Sequence, residues 1–331
     1  MEANTPRRDN RIMTEQSHSL YRGHHMHKQV WAIGGGKGGV GKSLLSSSLA
    51  FCLAKQGFST IAIDLDLGGA NLHTVLGQGP PQRCISDFLN GNTPELSSCI
   101  TPTLYPHLQI IGGAKDDLKI TRIDDQKIAS LLQQIRNLNA QFIILDLGAG
   151  TSKFTLDFFN FAQVRIITAL PEPTSIENAY RFLKASYYQQ LLERPELESI
   201  RPLIESAMVP NHKLGILSPQ QLLTEVNFQN PVLANELKRI IREWKVSLVI
   251  NQSRSQTDVD VGFSMKSVAK KYFGIDLDYL GYIEYEPNVW QSVRRMKPIL
   301  AEFPNSRIAT HLERIVNYLL KQARIEHTLN E

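Results

Sequence analysis

Short apolar runs alternate with longer amphipathic stretches along most of the chain. Runs of four to eight apolar residues predict strands, and apolar residues spaced three and four apart predict helices. The strands are predicted at Val30–Ile33, Thr60–Leu65, Leu108–Ile111, Phe142–Leu145, Val164–Leu170, Val246–Ile250 and Asp278–Ile283. The helices are predicted at Lys42–Gln56, Asp124–Asn137, Phe154–Phe161, Ser175–Gln190 and Val259–Phe273. This alternation predicts an α/β fold, a mostly parallel twisted sheet flanked by helices, over residues 29–331.

Two stretches depart from the alternation. Residues 1–28 are polar, rich in Arg and His, and without periodicity, which predicts a flexible leader. Its cluster of His24, His25 and His27 has metal-binding residue types but no second group of ligands, so a solvated tail is favoured. Residues 191–244 are leucine-rich and interrupted by prolines, which predicts a helical insert of several short helices. The insert either docks a partner or packs against the sheet; both alternatives stay open.

Composition narrows the class of protein only moderately. The 331 residues are 42% hydrophobic and 21% charged, as in ordinary globular proteins. The net charge of +4 permits contact with anionic lipid or DNA without arguing for either. No run approaches the ~20 apolar residues that a membrane span needs. Three cysteines without CxxC spacing fit a reducing compartment. We expect a cytoplasmic protein, with peripheral attachment to the cytoplasmic face of the plasma membrane as a further option.

The clearest chemical signal follows the first predicted strand. Gly36 is followed by four residues and then by Gly41, Lys42 and Ser43, which is the phosphate-binding P-loop pattern. Glycines let successive backbone N–H groups face a polyphosphate at the start of a helix. Lys42 can then reach the β- and γ-phosphates, and the Ser43 hydroxyl can ligate Mg²⁺. The pattern predicts binding of a nucleoside triphosphate with Mg²⁺. The alternative interpretation is a glycine-rich turn that binds no ligand.

An aspartate at the end of a later predicted strand supports this prediction. The apolar run Phe142–Leu145 ends in Asp146, and Gly148 and Gly150 follow. A buried strand that delivers one carboxylate to the ligand edge is the Walker B arrangement, in which Asp146 holds Mg²⁺ directly or through water. The alternative is a core strand that ends at an incidental aspartate.

The loop from Lys37 to Ser43 resembles the deviant Walker A motif of the MinD/ParA family of P-loop ATPases. This resemblance implies an ATP-dependent homodimer in which Lys37 reaches across to the nucleotide of the partner. The segment Pro171–Tyr180 resembles the FlhG-like, flagellar-number branch of that family. The ATP-binding residues then expected are Gly36, Lys37, Gly38, Gly39, Val40, Gly41, Lys42, Ser43, Leu44 and Asn251.

The same resemblance assigns roles to further residues. Asp66 corresponds to the residue that orients the attacking water, and Asp64 lies nearer Mg²⁺ or the P-loop. The metal ligands are thus expected to be Ser43, Asp64 and Asp146, and Asn251 is expected to contact the adenine edge. The run Ile283–Glu286 lacks the proline and aspartate of the family pattern, so a strict preference for ATP over GTP is left open.

These residues predict a slow ATPase switch. Lys37, Lys42 and Asp66 are the expected catalytic residues, and the motifs contain no strong general base, so a protein partner of unknown identity should accelerate hydrolysis. The FlhG-like resemblance implies a spatial regulator of division site or flagellum placement. The alternatives are a ParA-like ATPase that partitions DNA, a non-hydrolysing scaffold, and an iron–sulfur carrier ATPase, for which Cys84 and Cys99 lack the expected spacing.

Membrane attachment in this family resides in a C-terminal amphipathic helix. The apolar stripe that begins at Ile308 is predicted to face the core instead. Beyond Leu320 the only large apolar residues are Ile325 and Leu329. Two such side chains contribute about 1.5–3 kcal/mol each, which makes direct membrane binding marginal.

Overall fold

The computed structural model describes residues 27–113, 123–208 and 218–330 of the chain. The predicted leader therefore lies outside the described residues except for positions 27 and 28. The side chains of residues 324–330 also lie outside, so the expectation for Ile325 and Leu329 is not addressed. Among the described helices, none combines the length and apolarity that crossing a bilayer requires.

Eight strands form one sheet in the order β3-β4-β2-β5-β1-β6-β7-β8, and all neighbours are parallel except β3 and β4. The strands are β1 (Gln29–Gly34), β2 (Thr60–Leu65), β3 (Ile100–Pro102), β4 (Leu108–Ile111), β5 (Phe142–Leu147), β6 (Val164–Ala169), β7 (Val246–Ser253) and β8 (Leu277–Glu284). The predicted fold class and each predicted strand are confirmed. The prediction missed β3, because a three-residue edge strand that ends in proline carries no periodicity.

Helices cover both faces of the sheet. They are α1 (Lys42–Lys55), α2 (Leu72–Val75), α3 (Ile85–Leu89), α4 (Asp125–Asn137), α5 (Lys153–Phe161), α6 (Pro173–Leu192), α7 (Arg201–Met208), α8 (Pro219–Gln229), α9 (Pro231–Glu243), α10 (Gln256–Val268), α11 (Pro287–Arg294), α12 (Ile299–Glu302) and α13 (Arg307–Asn330). Short 3₁₀ turns occupy Leu96–Cys99 and Pro195–Ile200, and a π turn, Ala269–Phe273, extends α10. Each predicted helix is present, and short helices occupy the described part of residues 191–244.

The central strands β1, β2 and β5 consist mostly of apolar residues, because both faces of the sheet are buried there. Along β1, Trp31 and Ile33 enter the core layer beneath α1 and α13, whereas Val30 and Ala32 enter the opposite layer. The α13 stripe faces the first of these layers, as predicted; its buried residues are Ile308, Leu312, Ile315, Val316 and Leu319. Apolar residues of α7, α8 and α9 join the opposite layer, so these helices share the core of the sheet. The division of the chain into a leader and an insert-bearing domain remains a prediction.

The topology gathers the predicted motifs at one edge. β1 lies between β5 and β6, with the P-loop at its carboxyl end. Asp64 at the end of β2 is in register with Asp146 at the end of β5, and Asp146 is also in register with Ile33 of β1. Ligands of open parallel sheets bind beyond the carboxyl ends of the strands, where connections diverge to opposite sides. This edge is therefore the candidate site.

Candidate functional site

The P-loop connects β1 to α1. One side of the loop packs against the protein, and the other side is open. Gly39 and Gly41 adopt left-handed φ angles of 76° and 92°, which favour glycine. A Cβ atom at Gly36 would lie 2.0 Å from the backbone oxygen of Asn178 in α6, so that wall leaves no room for a side chain. A Cβ atom at Gly38 or Gly39 would meet nothing within 4 Å. This open side is where an anion can approach backbone N–H groups at the start of α1.

Lys42 is directed into the protein rather than into solvent. Its exposed fraction is 7%, and its Nζ donates a hydrogen bond to the backbone oxygen of Lys37 at 3.3 Å. Burial lowers the pKa of Lys42, and the negative charges of Asp146 and Asp66 partly oppose this shift. The structure thus brings one ammonium group and two carboxylates together beneath the loop.

Asp146 has one satisfied and one unsatisfied oxygen. Its exposed fraction is 1%, and its Oδ1 accepts a hydrogen bond of 2.9 Å from the Ser46 hydroxyl. Its Oδ2 is buried and accepts no hydrogen bond of good geometry. Burial raises the pKa of Asp146 to about 6, although the nearby hydroxyls of Ser43 and Ser46 and the charge of Lys42 pull it down.

This unsatisfied oxygen makes the site suitable for Mg²⁺. A buried carboxylate oxygen without a partner is costly, and a hard cation at Oδ2 would complete its coordination. Ser43 lies beside Asp146 and offers a hydroxyl oxygen. Over residues 27–113, 123–208 and 218–330, no group of three or more His, Cys, Asp or Glu could hold a metal unaided. Mg²⁺ usually takes one or two carboxylates from the protein and its other ligands from phosphates and water.

Asp64 anchors the backbone at the end of β2. It is fully buried, its Oδ1 accepts from the backbone N–H of Asp66, and its Oδ2 accepts from that of Leu72, both at 3.0 Å. Burial and the charge of Asp146 raise the pKa of Asp64 to about 7, although these two hydrogen bonds lower it. Because each oxygen already has a donor, Asp64 holds the connection from β2 to α2 in place.

Asp66 lies just beyond β2, where it is partly exposed. A Cβ atom at Gly148, in the loop after β5, would lie 3.4 Å from Asp66 Oδ1. The carboxylate therefore borders the loop after β5. Its charge also reaches Lys42 and Asp146, whose pKa values it influences. The structure thus places Asp66 in the same cluster as the two residues at the bottom of the site.

Lys37 and Asn251 contact other parts of the site. Lys37 donates from Nζ to Thr174 Oγ1 at 3.2 Å, and its Nζ lies 3.6 Å from Glu172 Oε2. Asn251, at the carboxyl end of β7, donates from Nδ2 to the backbone oxygen of Val40 at 2.8 Å. Asn251 is 3% exposed and supports the P-loop from below. Val40 is buried, and Leu44 is partly buried in the first turn of α1.

Sequence reasoning missed three residues at this site. Ser46, the partner of Asp146, is four residues after Lys42 in a helix and so shares its face, a spacing that could have revealed it. Glu172 and Thr174, the partners of Lys37, lie in the segment that carries the FlhG-like resemblance, but no local pattern connects them to Lys37, from which Thr174 is 137 positions away.

Comparisons with known proteins agree with this geometry. The sequence model of the CobQ/CobB/MinD/ParA nucleotide binding domain family matches residues 31–299 of this chain. The chain is 25% identical over 283 residues to the antiactivator FleN of Pseudomonas aeruginosa, covering 84% of this chain and 81% of that protein. It is 31% identical over 160 residues to the septum site-determining protein MinD of Escherichia coli, covering 47% of this chain and 57% of that protein.

The fold is also that of a solved relative. The septum site-determining protein MinD of Pyrococcus horikoshii, complexed with Mg-ADP, superimposes with a TM-score of 0.62 at 20% identity, covering 90% of this chain and 98% of that one. The match to FleN confirms the resemblance to the FlhG-like branch. The chain therefore belongs to the CobQ/CobB/MinD/ParA nucleotide-binding family and is a P-loop ATPase.

Proposed function

We propose that the protein is an ATP-dependent switch that dimerises when it binds ATP and Mg²⁺ and separates after slow hydrolysis. The observation that carries this proposal is the contrast between the two lysines of one loop. Lys42 is buried beside Asp66 and Asp146, where it would neutralise phosphates in its own site. The Lys37 side chain is 39% exposed and held only by surface contacts, so it is free to exchange them for the nucleotide of a partner protomer.

The residues at this edge of the sheet would have different roles in binding ATP and Mg²⁺. Backbone N–H groups from Gly36 to Leu44 would bind the phosphates, and Lys42 would neutralise their charge. Ser43 and Asp146 would hold Mg²⁺, which supplies further charge neutralisation when bound. Asp64 would act as an anchor that sets the position of Asp66, because both its oxygens accept backbone hydrogen bonds.

Asp66 would orient the attacking water. It is the partly exposed carboxylate of the cluster, and it lies beside Gly148 and Gly69, where a γ-phosphate could be sensed. Without a strong general base, such a site works by positioning, and completion by a second protein can accelerate P-loop hydrolysis by about 10³–10⁵. We therefore infer slow basal hydrolysis and stimulation by a protein partner.

The relatives suggest what the switch controls. One is named an antiactivator and the other determines the septum site, so we infer a spatial regulator of flagellum or division site placement in the cytoplasm. The FlhG-like segment that follows β6 supports the flagellar alternative. An inner membrane surface is the second site of action that we infer, reached through a partner; the α13 stripe from Ile308 to Leu319 is buried in the core and does not provide an anchor.

Three variants test the switch by analytical ultracentrifugation and nucleotide binding with ATP and Mg²⁺. Lys42→Ala should abolish nucleotide binding and hydrolysis. Lys37→Ala should bind nucleotide but remain monomeric. Asp66→Ala should bind ATP and accumulate as a dimer, because hydrolysis no longer releases it. Unchanged ATPase activity in Lys42→Ala would reject the site, and a monomeric Asp66→Ala protein at saturating ATP would reject the switch.

A fluorescent fusion of the Asp66→Ala protein in its native cell tests the biological role. Polar or mid-cell foci that sharpen relative to the wild type support placement of a flagellum or a division site. Nucleoid localisation would contradict this role and favour DNA partitioning, which salt-dependent DNA binding in the presence of ATP would then establish.

A further inference from the structure

A second concave surface lies at the sheet edge opposite the nucleotide site. It is an open cleft of about 590 Å³ between α8, α9, the π turn after α10 and the starts of β7 and β8. β7 is eight residues long, so its two ends lie roughly 25 Å apart at about 3.3 Å per residue. We call this surface the basal cleft. Its lining includes no residue of the P-loop and none of the carboxylates of the nucleotide site.

The basal cleft carries an excess of positive charge. Five cationic and two acidic side chains line it, an excess of three positive charges; they are Lys238, Arg242, Lys245, Lys266 and Lys270, with Asp276 and Asp278. The acidic groups are already engaged. Asp278 accepts hydrogen bonds from Tyr318 and Gln322 at 3.2 and 3.3 Å, and Asp276 lies 3.9 Å from Lys270 Nζ.

The cations on α9 differ according to the side of the helix they occupy. Arg239, which does not line the cleft, pairs with Glu236 and Glu243 at 2.5 and 2.7 Å. Its neighbours Lys238 and Arg242, which line the cleft, form no ion pair with any described residue, and the same holds for Lys266 across the cleft. The protein thus neutralises the outer side of α9 and leaves the cleft side positive.

The cations border an apolar floor. Leu223 of α8, Ile241 of α9 and Phe273 of the π turn line the cleft and are half-buried. Lys238 and Arg242 are four residues apart on one side, and Lys266 and Lys270 are four apart on the other. Two rows of like charge that flank an apolar seam complement an amphipathic helix with acidic residues on both borders of its apolar stripe.

We propose that the basal cleft binds an amphipathic, acidic helix of a protein partner. The apolar floor distinguishes this occupant from DNA, whose phosphate backbone needs cations but gains nothing from apolar side chains. The recessed shape distinguishes this occupant from a lipid headgroup layer. A membrane is a broad surface and contacts protein faces that protrude, not faces that are concave. Helices α8 and α9 would then serve both as part of the core and as a docking element.

The test uses the full-length protein with ADP and Mg²⁺ and a fluorescent helical peptide of about 18 residues, long enough to form a helix. The peptide has Leu at the a and d positions and Glu at the e and g positions; the control peptide has Lys in place of Glu. We expect saturable binding of the Glu peptide by anisotropy, weakening with added salt, and no comparable binding of the Lys peptide.

Charge reversal locates the binding site. Lys238→Glu with Arg242→Glu should weaken binding of the Glu peptide at least about tenfold, because two attractions become repulsions. The matched control, Arg239→Glu with Lys271→Glu, changes the net charge equally outside the cleft and should alter affinity less than about twofold. Both double variants change exposed side chains, and thermal unfolding together with basal ATP hydrolysis establishes that they fold.

Three outcomes would overturn the proposal. The first is no binding of the Glu peptide at low salt. The second is an equal loss of affinity in the two double variants, which would show non-specific attraction. The third is binding of duplex DNA, or of vesicles with anionic phospholipid, that depends on Lys238 and Arg242 more strongly than peptide binding does.

Discussion

Lys37 forms an ion pair with Glu172 of its own chain, with Nζ 3.6 Å from Oε2, and the same Nζ donates to Thr174 Oγ1 at 3.2 Å. Glu172 and Thr174 lie at the start of α6, whose N-terminal turns also pack against Gly36 of the P-loop. In the proposed dimer, Lys37 must leave these partners to reach the neighbouring nucleotide. The contact therefore favours the monomer.

Glu172→Gln is expected to promote dimerisation. Both side chains are substantially exposed, and ion pairs of this kind contribute about 0.2–1 kcal/mol. Loss of the pair should thus tighten the ATP-dependent dimer by up to about fivefold per protomer. Sedimentation across a range of protein concentrations measures this shift. Glu177→Gln, which breaks the Glu177–Arg181 pair on the same helix, is the control and should leave the dimer unchanged.

Asp146→Asn is expected to stabilise the nucleotide-free protein near neutral pH. The pKa values of Asp146 and Asp64 are raised to about 6 and about 7, so the folded protein retains protons that the unfolded chain has lost. The free energy of unfolding therefore falls as the pH rises from about 4 to about 7. The substitution removes the part of this loss in the free energy of unfolding that comes from Asp146, at most roughly 3 kcal/mol. Stability should therefore vary less with pH in the variant.

Urea unfolding at about pH 5 and about pH 7.5 measures this effect. Because Asp146 must lose its proton to ligate Mg²⁺, Mg²⁺-dependent nucleotide binding by the wild type should also weaken below about pH 6, and Asp146→Asn should lose Mg²⁺-dependent hydrolysis. A variant that is less stable than the wild type at pH 7.5 would show that the buried carboxylate is not the source of the pH dependence.

Gly36→Ala is expected to destabilise the P-loop. Its new Cβ would lie 2.0 Å from the Asn178 oxygen, so the loop or α6 must move, which costs typically about 1–3 kcal/mol. The melting temperature of the nucleotide-free protein should fall, and ATP affinity should fall with it. Gly38→Ala is the matched control in the same loop, because a Cβ there meets nothing within 4 Å; its melting temperature should equal that of the wild type.

Asn251→Ala is expected to weaken nucleotide binding about tenfold. The substitution leaves the buried Val40 oxygen without its 2.8 Å donor, a loss of about 1–3 kcal/mol that would loosen the loop. Titration with a fluorescent ATP analogue measures this change. Asn317→Ala, which removes an exposed contact to Gln56, is the control. Equal affinity for ATP in the Asn251→Ala protein would rule out a supporting role for this side chain.

Local patterns predicted elements better than their ends. The helix predicted from Val259 begins at Gln256, because Ser255 and Asp258 form a capping box that precedes the first apolar residue. The helix predicted from Ser175 begins at Pro173, which is suited to the first helical position. A polar capping box decides where the first of these helices starts, and a proline decides it for the second; apolar periodicity decides neither.

The sequence alone predicted the P-loop from Gly36 to Ser43 and the apolar strand before Asp146. Both patterns are local, and each residue type in them has a specific role in binding phosphate or Mg²⁺. Periodicity likewise determined the parallel sheet and the buried stripe of α13. Tertiary structure alone decided which distant residues meet these motifs: Asn251 beneath Val40, Glu172 beside Lys37, and two rows of cations across the basal cleft. Such pairings depend on strand order and helix packing, which bring together residues from 24 to 211 positions apart and leave no periodic trace along the chain.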